Sequence, residues 1–275
     1  MAIHTTSDTR PLSQATLAAM FEHLIAEGAA ADVTGWDFSW LDGRATEQRP
    51  PWGFVRLLSS RLGRVDAALD VQTGGGEVFG EALGAAEARP RVLAATEAWP
   101  PNVAAAARLL DGVRVTAAPE TELPFPDASF DLVSSRHPAT IAWREIARVL
   151  RPGGSYLAQH VGPASAFELI EFFTGPQPDA RRRRRPDDEA AAARAAGLDV
   201  VDLRVARTRI ELFDVAAVVY LLRKVIWWVP DFTVERYRDK LAELHVRLAA
   251  GGPFVAHSSR HLIEARRPDV AVSGG

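Results

Sequence analysis

The residues best placed to do chemistry cluster in Val65–Glu81, VDAALDVQTGGGEVFGE, and at the ends of the apolar runs that follow it. One short run ends in Asp70-Val71. Gly74-Gly75-Gly76 come next, then a helix-compatible segment from Glu77 to Ala86. Strand, glycine turn and helix in that order form a nucleotide-binding turn, because glycines accept positive φ and let a ligand approach main-chain N–H groups. Asp70 at the strand end repels a phosphate and suits a ligand bearing an ammonium or sulfonium. A second run, Arg91–Ala95, leads to Glu97. Glu97 lies about 20 residues past the glycines, where an acid meets ribose hydroxyls in βαβ nucleotide units. Two acids at successive strand ends around a glycine turn favour an adenosyl ligand without phosphates.

A later run ends in Ser134-Ser135-Arg136-His137-Pro138. Carboxyl ends of strands face the ligand crevice in open α/β sheets, which makes His137 the first candidate to touch substrate. Its ordinary pKa lies close to neutral, so it could take a proton from a hydroxyl or amine nucleophile. His160, at the end of the following run, is the second candidate. For His137 the alternative is a hydrogen-bonded histidine that positions its loop. No metal-ligand cluster is evident, and no metal is expected.

The elements that must position these residues alternate from Ala67 onward, the pattern of a parallel sheet covered on both faces. Strands are predicted at Ala67–Val71, Arg91–Ala95, Val113–Ala117, Phe130–Ser134 and Gly154–His160, with Pro152-Gly153-Gly154 as the turn into the last. Helices are predicted near Val78–Ala86, Asn102–Leu110, Ile141–Leu150 and Phe167–Phe173. Before them, Leu12–Ala30 is a helix with Ser13 as cap and Gly28 as terminator, and Met1–Pro11 is a loosely docked end. Thr34–Pro51 is rich in aromatics. Leu198–Arg204 is a sixth strand, Asp214–Val229 a strongly apolar helix, Thr233–Ala250 an amphipathic helix capped by Thr233, and Phe254–Ala265 a last, antiparallel edge strand. From Pro268 the chain is a tail. Arg181–Arg185 is five arginines followed by acids and then a helix to Gly197 with Asp187 as cap, which reads as a solvated loop before it reads as an RNA grip.

Four segments carry a family resemblance: ALDVQTGGGE (Ala68–Glu77), Glu97, LPFPDASFDLV (Leu123–Val133) and EIARVLRPGGSYL (Glu145–Leu157). Together they resemble the class I, Rossmann-like S-adenosylmethionine-dependent methyltransferases, with Gln72 standing where that family usually has glycine. The resemblance implies a Rossmann-like α/β fold with a seven-stranded, mostly parallel sheet, helices on both faces, an N-terminal helical arm and a helical insertion before the last strand. It implies a division into an arm or lid (1–62), a cofactor-binding core (63–213), the insertion (214–252), and the last strand with the tail (253–275). The implied cofactor is S-adenosylmethionine, with S-adenosylhomocysteine as product. Asp70 would lie near the cationic methionyl end, with Gln72, Thr73, Gly74 and Gly76 passing beneath it. Glu97 would accept from the ribose, Ala118 and Glu120 would lie at the adenine, and Ser135 would complete the set. Trp36, Trp40, Arg136, His160, Tyr220 and Trp227 are the candidate substrate contacts, and His137 the candidate base.

Composition narrows the partners. The chain has 275 residues, 47% hydrophobic and 24% charged, with a net charge of −3. That balance argues against a general polyanion-binding surface. With no cysteine, a disulfide framework, a thiolate metal site and a cysteine nucleophile are all excluded. No run approaches a membrane span, and the N-terminus lacks a signal pattern, so a cytoplasmic protein is expected. The expected reaction is methylation of a small, aromatic or apolar organic acceptor at O, N or C, as in secondary metabolism. An RNA methyltransferase and a non-catalytic cofactor-binding homologue are the alternatives. Neither nucleic acid nor membrane is an expected partner, and a homodimer is the assembly that general prevalence suggests.

Overall fold

A five-residue run with no polar alternation, such as Ala67–Val71, forms a strand covered on both faces, and in the computed structural model all five of its residues are buried. The structure describes residues 13–33 and 36–269. Met1–Pro11, part of the aromatic stretch (Thr34 and Gly35) and most of the expected tail lie outside them.

The strands are β1 (Ala45–Glu47), β2 (Ala67–Val71), β3 (Val92–Glu97), β4 (Arg114–Ala117), β5 (Phe130–Arg136), β6 (Leu150–Val161), β7 (Asp199–Leu212) and β8 (Phe254–Arg266). They form one sheet in the order β1-β7-β8-β6-β5-β2-β3-β4. β2 runs parallel to β3 and β5, β3 to β4, and β5 to β6. β8 lies antiparallel to β6. The fold is the expected α/β architecture with eight strands rather than seven. The additional strand is β1, a three-residue segment inside the aromatic stretch, and just beyond it Gln48 N–H donates to Arg209 C=O at 2.9 Å.

The helices are α1 (Gln14–Ala30), α2 (Phe54–Leu62), α3 (Glu77–Gly84), α4 (Pro100–Leu109), α5 (Trp143–Val149), α6 (Phe167–Thr174), α7 (Pro186–Ala195), α8 (Val215–Lys224) and α9 (Arg238–Ala249). Among the described residues no helix is long and apolar enough to cross a membrane.

By contacts the chain divides into two compact units. The larger comprises 47–167, 176–209 and 257–275. Its strands sort their side chains by the two-residue period of a pleated strand. Leu69, Val133, Tyr156, Ala158 and Ile263 share one core with Ile146 and Val149 of α5 and Ala193 of α7. Ala68, Leu132, Leu157 and Leu262 share the other with Leu58 of α2, Phe79 of α3 and Ala106 of α4. The predicted turn Pro152-Gly153-Gly154 lies inside β6 as a bulge, between the pairs Phe130↔Leu150 and Leu132↔Ser155. Gly153 at φ 76° makes this local excursion accessible. Its N–H donates to Arg267 C=O at 2.9 Å, so β8 holds the bulge. Asp187 does not cap α7. Arg185 is the cap and Pro186 the first helical residue, which leaves Asp187, Asp188 and Glu189 in the first turn, where the helix dipole favours acids.

The smaller unit comprises 1–46, 168–175 and 210–256. Ser13 caps α1 as expected, accepting from Thr16 N–H. Gly28 does not end the helix, which continues to Ala30. Gly28 is instead where α8 crosses: a Cβ there would lie 2.6 Å from the carbonyl oxygen of Ala216. Arg223 reaches back to accept no bond but to donate two, to the carbonyls of Gly28 (2.9 Å) and Ala31 (2.8 Å), closing the end of α1. α8 is shorter than predicted and stops at Lys224, so Ile226 and Trp227 lie beyond it and are exposed. Thr233 caps only a single turn, accepting from Arg236 N–H at 3.1 Å, and α9 begins five residues later than expected.

The crossing at Gly28 gives a first prediction. Gly28→Ala is expected to destabilise the chain by about 1–3 kcal/mol through overpacking against Ala216, read as a lower urea midpoint. An unchanged midpoint would show that the two helices separate freely there.

Candidate active site

The glycine turn joins β2 to α3 at the carboxyl end of the sheet. Gln72 has φ 56°, Gly74 φ 64° and Gly76 φ 91°. At Gly76 the constraint is close packing as well as conformation, since a Cβ would meet Leu110 at 2.8 Å. At Gly74 a Cβ would meet nothing within 4 Å, so the turn presents an open face there. No side chain caps the first turn of α3.

Asp70 shares the α3 side of β2 with Ala68. It is buried and accepts from Ser134 Oγ of β5 at 2.5 Å. Burial pushes its pKa up to about 6, against the pull of the hydrogen bond from Ser134. Beside it, the buried Thr73 Oγ1 has no partner of ordinary hydrogen-bond geometry but lies near enough to Asp70 to help hold its pKa down. A buried carboxyl close to a turn with an open glycine face fits a cationic ligand such as a sulfonium.

Glu97, at the end of β3, is buried. Its Oε2 accepts from Gly74 N–H at 2.8 Å, and its Oε1 accepts from the N–H groups of Ala98 and Trp99, each at 3.0 Å. Three of a carboxylate's roughly four lone-pair positions are therefore filled, which leaves room for one further donor. Glu97 holds the turn in place before it meets any ribose. Ala118 is buried and its N–H donates to Glu97 C=O at 3.0 Å. Glu120 is half-buried on the turn after β4. Ser135 is buried, and its Oγ donates to Val71 C=O at 2.8 Å, a tie between β5 and β2.

Gln72 occupies the left-handed conformation that glycine would take without strain. Its side chain clasps the loop after β5: Nε2 donates to Thr140 C=O at 2.6 Å, and Oε1 accepts from Ala139 N–H at 2.7 Å. Two hydrogen bonds offset the roughly 1–2 kcal/mol that a non-glycine residue loses in this region.

His137 opens the same loop, also at positive φ (56°), with its N–H donating to Gln159 C=O at 2.7 Å. Its protonation follows from its neighbours. Trp52 Nε1 can only donate, and it donates to Gln159 Oε1 at 2.8 Å. The amide of Gln159 must therefore turn its NH2 toward His137 Nε2, 3.0 Å away. Nε2 accepts, so the ring is neutral with its proton on Nδ1. Burial, with Arg136 and Arg260 adding positive charge, lowers the His137 pKa well below its usual value. In this arrangement the Nε2 lone pair is engaged by Gln159 and the charged form is disfavoured. What His137 offers is a donor at Nδ1. Arg260 is held by Ser165 Oγ (2.9 Å) and Glu47 (3.2 Å). Arg136 at the end of β5 is exposed.

His160 does not join His137. Gln159 and His160 are consecutive in β6, so they face opposite sides of the sheet. Gln159 meets Trp52 of the α2 side. His160 is buried on the α5–α7 side, bonded to Tyr156, and shares the Oε2 of Glu189 with His261. The structure thus gathers a His160–Glu189–His261 group that the sequence reading missed.

The aromatic candidates all lie in the smaller unit. Trp40 stacks on Tyr220 at 4.8 Å and carries Arg44 over its ring, while Tyr220 OH donates to Asp37 C=O. Trp36 and Trp227 touch at 5.8 Å and are exposed. Also unforeseen were Ser134, Gln159 and Trp52, which set the state of Asp70 and His137. The available signal was the period-two alternation, which puts Gln159 on the side of Trp52. Trp99, exposed two residues past Glu97, was missed too.

Residues 69–158 match the family model described as a methyltransferase domain. That stretch runs from β2 into β6, and it contains most of the motifs that resemble the class I S-adenosylmethionine-dependent methyltransferases. No curated protein matches the chain. Among solved structures, a candidate methyltransferase from Bacillus halodurans C-125 is 18% identical with a TM-score of 0.55, over 78% of this chain and 98% of that one. The [4+2]-cyclase SpnF is 18% identical with a TM-score of 0.52, over 94% and 97%. The YcgJ protein of Bacillus subtilis is 18% identical with a TM-score of 0.54, over 78% and 98%. Likeness at this level establishes the shared fold.

Two predictions follow from Asp70 and Gln72. The folded-state pKa of Asp70, about 6, lies above the ordinary carboxyl value of 3.8. This group therefore costs stability as pH rises from about 4 to 6, by up to about 3 kcal/mol above that range. Asp70→Asn is expected to raise stability at pH 7 and to flatten this part of the pH profile in urea titrations. A loss of stability would mean that the carboxylate is favourably solvated. Gln72→Gly is expected to change stability by no more than about 1 kcal/mol while the Ala139 amide loses its hydrogen-exchange protection. Retained protection would show that the loop stands without the clasp.

Proposed function

We propose that this chain transfers the methyl group of S-adenosylmethionine to a small organic acceptor with an aromatic or apolar body. The observation that carries the reading is the buried Asp70 at the end of β2, the strand that leads into a glycine turn open at Gly74, where the carboxyl has hydroxyl neighbours and a cation is favoured. When bound, S-adenosylmethionine supplies an electrophilic methyl on a sulfonium. The chain's own residues do the rest. Asp70 and the Thr73 hydroxyl receive the charged end, Glu97 keeps the turn rigid and accepts one further donor, and the exposed Trp99 borders that position.

Methyl transfer asks for alignment and exclusion of water more than for proton transfer. A neutral His137 serves as a donor that orients the acceptor from Nδ1. Arg136 and Arg260 gather positive charge beside it, which favours an acceptor carrying an anionic group such as a carboxylate. Because the same fold also serves a cyclase, activity must be tested as transfer and not inferred from binding.

The test is calorimetry of S-adenosylmethionine and S-adenosylhomocysteine with the native chain and Glu97→Ala, followed by a labelled-methyl screen of aromatic and apolar carboxylic acids. We expect micromolar binding, weakened at least about tenfold in the variant, equivalent to about 1.4 kcal/mol. Binding should also weaken as pH falls below about 6, where Asp70 takes up its proton. Label transferred only to RNA or protein would overturn the acceptor class, and label transferred to nothing despite tight binding would overturn the reaction.

A further inference from the structure

We propose that His160, Glu189 and His261 form a buried site for a single divalent metal ion of the zinc class, which pins α7 to the seam between β6 and β8. Among the described residues this is the one group of three or more histidine and acidic side chains whose ligand atoms converge, all within 4.8 Å of one another. It is separate from the glycine turn, on the opposite side of the sheet from Gln159, and methyl transfer makes no use of it.

The three ligands come from three elements. His160 and His261 face each other directly across the antiparallel β6–β8 pair. Glu189 comes from the first turn of α7 and lies over them. His160 Nδ1 is 2.5 Å and His261 Nε2 is 2.6 Å from the same oxygen, Oε2 of Glu189. Both rings are fully or nearly fully buried, while the Glu189 side chain keeps 14% of its exposure. Solvent therefore reaches the group along the carboxylate and nowhere near the rings, which supplies a route for an ion to enter.

The chemistry of the set is two imidazoles and a carboxylate, a donor combination that zinc takes readily. Tetrahedral bonds of about 2.0–2.1 Å place neighbouring ligand atoms about 3.3 Å apart, so from its present contacts the carboxylate must withdraw by about 0.8 Å. The supporting partner is present as well. Tyr156 OH lies 3.0 Å from His160 Nε2. Its phenolic oxygen can either donate or accept. With a metal at Nδ1, the proton of His160 sits on Nε2 and is donated to Tyr156, the outer contact that fixes a ligating ring. Trp143, 5.4 Å from Tyr156 and 6.3 Å from His160 between ring centres, packs both in place. His261 Nδ1 is buried with no partner at all. Without an ion, two ring nitrogens crowd the one oxygen Oε2 of Glu189.

The experiment uses the full chain without an affinity tag, stripped with chelator and titrated with zinc chloride, with cobalt(II) as a spectroscopic probe. We expect one zinc per chain with a micromolar or tighter Kd and a cobalt spectrum with visible bands of a low-coordinate nitrogen/oxygen site. Glu189→Gln is expected to weaken binding by about 100-fold or more, since losing even an outer partner of a ligand costs about 10–100-fold. Far less than one zinc per chain, or a cobalt spectrum of the hexa-aqua ion, would overturn the proposal and leave a proton-only network. So would a Glu189→Gln chain that binds zinc as tightly as the native one. If that variant does not fold, the native cobalt spectrum decides alone. S-adenosylmethionine binding, measured on the same samples, reports on the glycine turn and is not moved by either result.

Discussion

The site depends on a carboxyl group kept out of water. Asp70 sits at the end of a strand covered on both faces, with one hydroxyl from Ser134 as its hydrogen-bond donor. Burial there opposes ionisation and pushes its pKa up to about 6. The turn that follows is fixed by separate demands: Gly76 packs against Leu110, Gly74 has open space at its Cβ position, and Glu97 fastens the turn through Gly74 N–H. Keeping a carboxyl in such a place costs stability at neutral pH.

The second constraint is strand parity. Consecutive residues of β6 belong to different cores, so Gln159 works with Trp52 and His137 while His160 works with Tyr156, Glu189 and His261. One strand serves two polar networks that do not share an atom. This is possible because a pleated strand gives each face every second residue. The antiparallel partner β8 obeys the same alternation, with Leu262 in one core and His261 in the other network.

The turn, the two acids and most of the strands were legible in the sequence because each rests on local information: an apolar run, a glycine cluster, an acid at a run's end. The placement of Asp70 and Glu97 at strand ends and of Gly74 in the turn followed that way. The states of the histidines were not legible, because they are decided by residues far along the chain. Trp52 fixes the amide of Gln159, and that amide fixes His137, across separations of 107 and 22 residues. Glu189 and His261 reach His160 from 29 residues away and from the opposite side of a strand pair. Helix ends failed for a related reason. Gly28 looks like a terminator by propensity, but it is required by the carbonyl of Ala216, and only packing reveals that.

Gln72 shows how a departure from a family pattern can be read physically. A glycine there would relax the backbone and leave the loop after β5 to hold itself. The glutamine accepts a strained φ and in return ties Ala139 and Thr140 to the cofactor turn. That loop begins at His137, whose ring is fixed from the other side by Gln159. The segment 137–140 is therefore clamped at both ends, by one amide side chain from the turn and another from β6. Gln72 in the glycine turn and the engaged Nε2 of His137 thus belong to one hydrogen-bonded arrangement around the same loop.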